Sequence, residues 1–284
     1  MAFSPNGKTV YMIGQIWTLE GPRGGSDHAV YKMDYESNND ATIFAGDKKE
    51  CGSDDLHFAV PTSVDTDAAG NVYVSDFMND RIQIFEPSGK FLKTLIVKKP
   101  AKVQVHKKTG ELFIFSWGIT SIENKLILKH EYYSNKTIPK VFIFTAFPEM
   151  KLKQEDDFVF GEDEYEVNNF GQKYEVTLDS WSESPTFWIV GKRRGARDYQ
   201  VNAGIGAGKY GPDPKFWESG IRIIQLKNSK WEVIGNFEQN TKKVLASTAF
   251  QPHQPLYFNT KNEKLYLMEG FLADRLTEID PLTS

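Results

Sequence analysis

Cys51 is the only cysteine in the 284 residues. That excludes an intrachain disulfide, and with it zinc or iron–sulfur sites built from clustered thiolates. No apolar run approaches the roughly 20 residues that a helix needs to cross a bilayer. Met1 is followed by Ala-Phe-Ser-Pro-Asn-Gly, without the basic and then apolar pattern of a secretory leader. Charge of one sign is also lacking, since 34 Lys and Arg stand against 38 Asp and Glu for a net charge of −4. This balance argues against the broadly cationic surface that holds nucleic acid without regard to sequence, and no nucleic-acid partner is expected. Catalytic signatures are scarce. Neither a serine nucleophile elbow, nor an HExxH pair, nor a phosphate-cradling loop occurs. The run Gly204-Ile205-Gly206-Ala207-Gly208 has no strand-to-helix context, so it reads as freely turning backbone.

What is abundant is strand material. Hydrophobic residues make up 40% and charged residues 25%, a profile of soluble globular proteins. The aromatic share of 13% falls in short alternating runs bounded by Gly, Pro, Asn and Asp, with almost nothing at helical spacing. One unit recurs: a strand, a tight turn and a second alternating strand, followed by two more. Its clearest copy is Pro61–Leu95, with strands expected at Thr62–Asp67, Val72–Ser75, Arg81–Phe85 and Phe91–Val97. Turns fall at Ala69-Gly70-Asn71 and Pro87-Ser88-Gly89. Weaker copies begin at Phe3–Gly14 and Val103–Trp117. The second of these is completed by Lys125–His130 and Lys140–Phe147. Further strands follow at Tyr174–Gly191, Gly220–Leu226, Trp231–Phe237, Leu256–Gly270 and Arg275–Asp280. Four-stranded antiparallel units of about 40–50 residues predict an all-β fold, a β-propeller of four-stranded blades. At about 45 residues per blade there is room for about six, whereas about five cycles are recognisable. Either the acidic stretch Pro148–Gln172 hides a degenerate blade, or the chain is part of a longer polypeptide. We expect one propeller domain over 1–284 with insertions near 148–172 and 191–220.

The copy Pro61–Phe85 carries a specific pattern: Pro61, Ser63, Val64, Asp67, Gly70, Asn71, Val72-Tyr73-Val74, Asp76, Asn79, Arg81-Ile82 and Phe85. In this it resembles the NHL-repeat family, which implies a propeller and leaves function open. The stretch Leu56–Lys93 also resembles a blade of the peptidyl-hydroxyglycine amidating lyases. Those are six-bladed propellers that hold zinc through axial histidines, and the resemblance puts His57 at such a position. His253, in QPHQPLYF, stands at a loosely similar entry to an inner strand. The sequence departs from that family at Ala101-Lys102-Val103, where no third histidine is found.

In a blade, the loop before the inner strand and the loop between the second and third strands share one face, where ligand sites collect. The longest such loop runs from Gly191 to Gly220. Arg193, Arg194 and Arg197 give it a local basic cluster, interleaved with Tyr199 and Trp217. Arginine forks take carboxylate or phosphate, and aromatic faces take sugars or guanidinium groups. Trp17 belongs to a second long loop, Gln15–His28, on the same face. Asp76 and Arg81 flank the short loop of the best copy and are expected to pair across its hairpin. The expectation is a non-catalytic module that binds a partner protein, an anionic glycan or a small ligand and carries no cofactor. Two enzymatic readings stand beside it. One is a metal-dependent lyase or lactonase using His57 and His253, with zinc or calcium. The other is a glycan-processing propeller.

Overall fold

The computed structural model describes residues 1–13, 28–117, 139–158, 174–191, 221–236, 253–259, 264–269 and 276–279. The first sheet is β1 (Ala2–Phe3), β2 (Thr9–Ile13), β3 (His28–Asp34) and β4 (Thr42–Asp47). The second is β5 (Pro61–Thr66), β6 (Val72–Asp76), β7 (Arg81–Phe85) and β8 (Phe91–Ile96). The third is β9 (Pro100–Val105), β10 (Leu112–Ser116), β11 (Lys140–Phe144) and β12 (Leu152–Asp157). A fourth contains β13 (Tyr174–Asp179), β14 (Thr186–Gly191), β15 (Ile221–Lys227) and β16 (Lys230–Asn236). The fifth has three strands, β17 (His253–Asn259), β18 (Lys264–Glu269) and β19 (Leu276–Ile279). Every sheet is an antiparallel meander in chain order, and the only helix among the described residues is one 3₁₀ turn, Phe77–Asn79. These are the blades of a β-propeller, five of them within the described residues.

The outer strand of the third blade, β12, comes from the acidic stretch after Pro148. Its sequence LKQEDD places charge on an outer edge, which discourages pairing with another chain. The expected strand Lys125–His130 lies outside the described residues, and β11 stands third in that blade.

By contacts the chain forms two compact units: Met1–Phe160 with Asn169–Gln172, and Gly161–Asn168 with Lys173–Ser284. The first unit holds three blades. Its middle blade is covered on both faces, so β6 and β7 are buried along their whole length. Val64, Val72, Val74 and Phe85 face the first blade and meet Tyr11, Val30, Phe44 and Phe58 there. On the opposite face Tyr73, Ile82 and Ile84 meet Val103, Val105, Leu112 and Ile114 of the third blade. Alternate residues thus go to different neighbours, and neither face of these two strands is left to solvent. In the second unit, Phe187 of β14 is fully buried and meets Trp231 of β16 edge to face at 5.5 Å.

The innermost strands have no main-chain partner on their inner side, and side chains of β5 take that role. Asp65 Oδ2 accepts from the Val105 amide at 2.7 Å, and Ser63 Oγ meets the Val103 amide and carbonyl at 3.3 Å. On the other side, Thr66 Oγ1 donates to the Phe3 carbonyl at 2.7 Å. The turn into β6 is closed by Asp67. Its carboxylate accepts from the Asn71 amide and side chain at 2.8 Å and from the Tyr73 hydroxyl at 2.9 Å. Gly70 sits there at φ +90°, where an L side chain is strained. In the third blade His106 stands in for Asp67, with Nδ1 2.9 Å from Thr109 Oγ1.

Candidate functional site

The connection from β4 to β5 brings the chain to the face where ligand loops were expected. Its outer part, Asp54 to Leu56, is exposed, and Phe58 is buried in the core between the first two blades. An exposed loop of this length is ordinarily loose, but this one is held by the next hairpin. Arg81 Nε donates to Asp76 Oδ2 at 2.7 Å, with the arginine side chain 7% exposed and the aspartate fully buried. The two Nη groups donate to the carbonyls of Ser53 at 2.7 Å and of Asp54 and His57 at 2.8 Å. Asn79 Nδ2 bridges Asp76 at 2.7 Å and the Gly52 carbonyl at 2.8 Å. The other Asp76 oxygen accepts from the Ala59 amide at 2.7 Å.

Four of the five guanidinium N–H directions are therefore used, and the planar fork fixes three backbone carbonyls and the Asp76 carboxylate at once. Burial raises the pKa of the Asp76 carboxyl, while Asn79, the Ala59 amide and Arg81 hold part of that rise back. Next to the clamp, Val60 lies at φ +61°, an uncommon conformation for a β-branched residue. Its amide donates to Nδ1 of His28, a buried residue of the first blade, at 3.2 Å. Strain of this kind persists only where the surroundings over-determine the backbone.

His57 stands on this held loop. Its Nδ1 lies 2.8 Å from both carboxylate oxygens of Asp54, and since a carboxylate only accepts, the ring nitrogen is the donor. The Asp54 hydrogen bond raises the His57 pKa, and the same bond, with the Leu56 amide, lowers that of Asp54. Nε2 of His57 makes no hydrogen bond to a described residue. A carboxylate that orients an imidazole in this way is a common support for a metal-ligating histidine. The rest of a ligand set is not assembled: among the described residues no group of three or more His, Cys, Asp or Glu could hold a metal ion. His253 opens β17 in the second unit, and its side chain lies outside the described residues. The described donors thus do not fit the three-histidine zinc site that the lyase resemblance implies. Chemically, the loop offers a positioned imidazole, the Asp54 and Asp55 carboxylates and an exposed Leu56.

The expected pairing of Asp76 with Arg81 is present, but its larger role, holding the loop of the preceding connection, was not read from the sequence. The spacing Asp76-x-x-Asn79-x-Arg81 was the available signal. Asp54 and His28 were also missed; Asp54 precedes His57 by three residues, as in an Asx turn, whereas His28 is distant in the chain. Arg193, Arg194, Arg197, Tyr199, Trp217 and Trp17 lie outside the described residues.

No family model matches the chain. Among curated proteins, peptidylglycine alpha-amidating monooxygenase of Rattus norvegicus is 35% identical over 92 residues, which is 32% of this chain and 9% of that protein. The Mus musculus counterpart is 34% identical over 92 residues, with the same shares. Among solved structures, an auxiliary nutrient binding protein from Bacteroides thetaiotaomicron gives a TM-score of 0.48 at 7% identity, covering 93% of this chain and 55% of that one. The RRP9 WD40 repeats give 0.40 at 14% identity, covering 81% and 48%. The matched stretch spans less than a tenth of the curated relatives' length, and over that stretch the chain is similar to the amidating monooxygenases.

Proposed function

We propose that the chain is a non-catalytic binding module of NHL-type blades that presents preformed loops to a partner. The observation that carries this reading is the Arg81–Asp76–Asn79 clamp, which spends a buried ion pair on holding an exposed loop. A loop ordered in advance loses little entropy on binding, the usual reason for building a recognition surface on a rigid frame. The NHL assignment is supported by the work its motif residues do. Asp67, Gly70, Asn71 and Tyr73 form the turn, and Asp76, Asn79 and Arg81 form the clamp.

The module would also offer Arg193, Arg194 and Arg197 with Tyr199, Trp217 and Trp17 to a partner protein or an anionic glycan. The test is titration of a sulfated oligosaccharide, and cross-linking to partner proteins, with the parent and with a variant carrying Arg193→Glu, Arg194→Glu and Arg197→Glu. Loss of both kinds of binding in the variant is expected; binding unchanged by it would reject the Arg-rich loop as the contact. The lyase alternative with His57 and His253 rests on the partial likeness to amidating monooxygenases, and metal content tests it. Near-stoichiometric zinc or calcium in the purified chain, lost in His57→Ala, would replace the binding module with the enzyme.

A further inference from the structure

The opposite end of the first two blades carries a cavity of about 610 Å³ that the loops at the clamped face do not reach. Its walls are the turns joining β1 to β2, β3 to β4, β5 to β6 and β7 to β8. Tyr11 and Lys32 face each other across β2 and β3 and both line it. Tyr11 is 2% exposed, its ring meets Phe44 edge to face at 5.0 Å, and its hydroxyl makes no hydrogen bond to a described residue. The hydroxyl is not enclosed; it opens onto the cavity that Tyr11 lines and is available to a ligand there. Burial raises its pKa, so the hydroxyl keeps its proton and is a donor.

Lys32 Nζ lies 5.6 Å from the centroid of the Phe44 ring and has no carboxylate partner among the described residues. Two donors, one of them cationic, thus stand side by side against the cavity. Two carboxylates also line it, Asp34 at the end of β3 and Asp40 on the connection to β4. Asp34 uses one oxygen on the Glu36 amide, and the Asp40 side chain makes no bond to a described residue. One cation opposed by two carboxylates disfavours a dianion such as phosphate and favours a ligand that brings both charges.

From this arrangement we infer that the cavity binds a small amino-carboxylate, such as a free amino acid, with its carboxylate at Lys32 and Tyr11 and its ammonium at Asp34 and Asp40. The probes are L-alanine, acetate, ethylammonium and inorganic phosphate, followed by calorimetry and by the backbone amide shifts of residues 32–42. L-Alanine is expected to bind more tightly than acetate, ethylammonium or phosphate. Tyr11→Phe, which keeps the ring, weakens L-alanine about tenfold or more, the size of one hydrogen bond to a charged group. Lys32→Gln weakens both L-alanine and acetate. Asp40→Asn, at an exposed position that leaves the fold alone, weakens L-alanine and spares acetate. Phosphate binding more tightly than L-alanine, no probe shifting these amides, or affinities unchanged in Tyr11→Phe and Asp40→Asn would each overturn the assignment.

Discussion

Replacing Arg81 with methionine keeps most of the stem and removes the fork that joins β7 to the preceding loop. The Asp76 carboxylate, fully buried, then keeps only the Asn79 side chain and the Ala59 amide. Breaking a buried ion pair from one side costs about 3–5 kcal/mol, because the remaining charge is stranded. The three lost bonds to the Ser53, Asp54 and His57 carbonyls add less, since that loop is exposed and its carbonyls can turn to water. With a urea slope of about 2 kcal/mol per molar, the unfolding midpoint of the first unit falls by about 2 M. Adding Asp76→Asn removes the stranded charge, so the double variant is more stable than Arg81→Met alone, and the cycle gives a coupling of about 2 kcal/mol or more. Urea denaturation followed by circular dichroism measures the shift, and amide exchange at Gly52, Leu56 and His57 reports the loop. A midpoint drop below about 0.5 M with unchanged exchange at those amides would refute the clamp.

Other expectations follow from the same geometry. Because the His57 pKa is raised and that of Asp54 lowered, their pairing stabilises the loop only while the imidazole is charged and the carboxylate is not protonated. The contribution is lost as pH rises through the raised His57 value and again as pH falls through the depressed Asp54 value. Titration of His57 by NMR should give a midpoint above 6.5 that returns toward 6.5 in Asp54→Asn. Gly46→Ala would put a Cβ 2.3 Å from the His28 carbonyl at φ +82°, and the expected loss is about 2 kcal/mol or more in thermal or urea unfolding. Tyr73→Phe removes the hydroxyl that meets Asp67, for a loss of about 1–2 kcal/mol by the same assays. One domain over 1–284 predicts a single cooperative calorimetric transition, and two separate transitions would divide it.

Much of the blade pattern is legible in the chain because turn chemistry and strand alternation act locally. Gly70 and Gly89 take positive φ where turns were read, and β7 spans Arg81–Phe85 as expected. The outer strand β12 was harder, since LKQEDD is polar and an outer strand needs only one apolar side. The site was legible only in part. Arg81 and Asp76 lie five residues apart and could be paired on the page, whereas the carbonyls that Arg81 holds lie 24 to 28 residues away. Backbone carbonyls carry no sequence signature, so a side chain that binds them is invisible until the chain folds. The pair of Tyr11 and Lys32 was hidden for a similar reason, because cross-strand register alone sets them together.

Strand β5 reaches in two directions, through Thr66 to β1 of the preceding blade and through Ser63 and Asp65 to β9 of the following blade. Both contacts are made to main chain, which every neighbour possesses whatever its sequence. A tandem duplication of this one stretch of gene would therefore inherit its own couplings, with no compensating change in the copy beside it. Growth of such an array by whole copies is open from the first duplication, and the flanking copies can then drift in sequence while the joint between them persists.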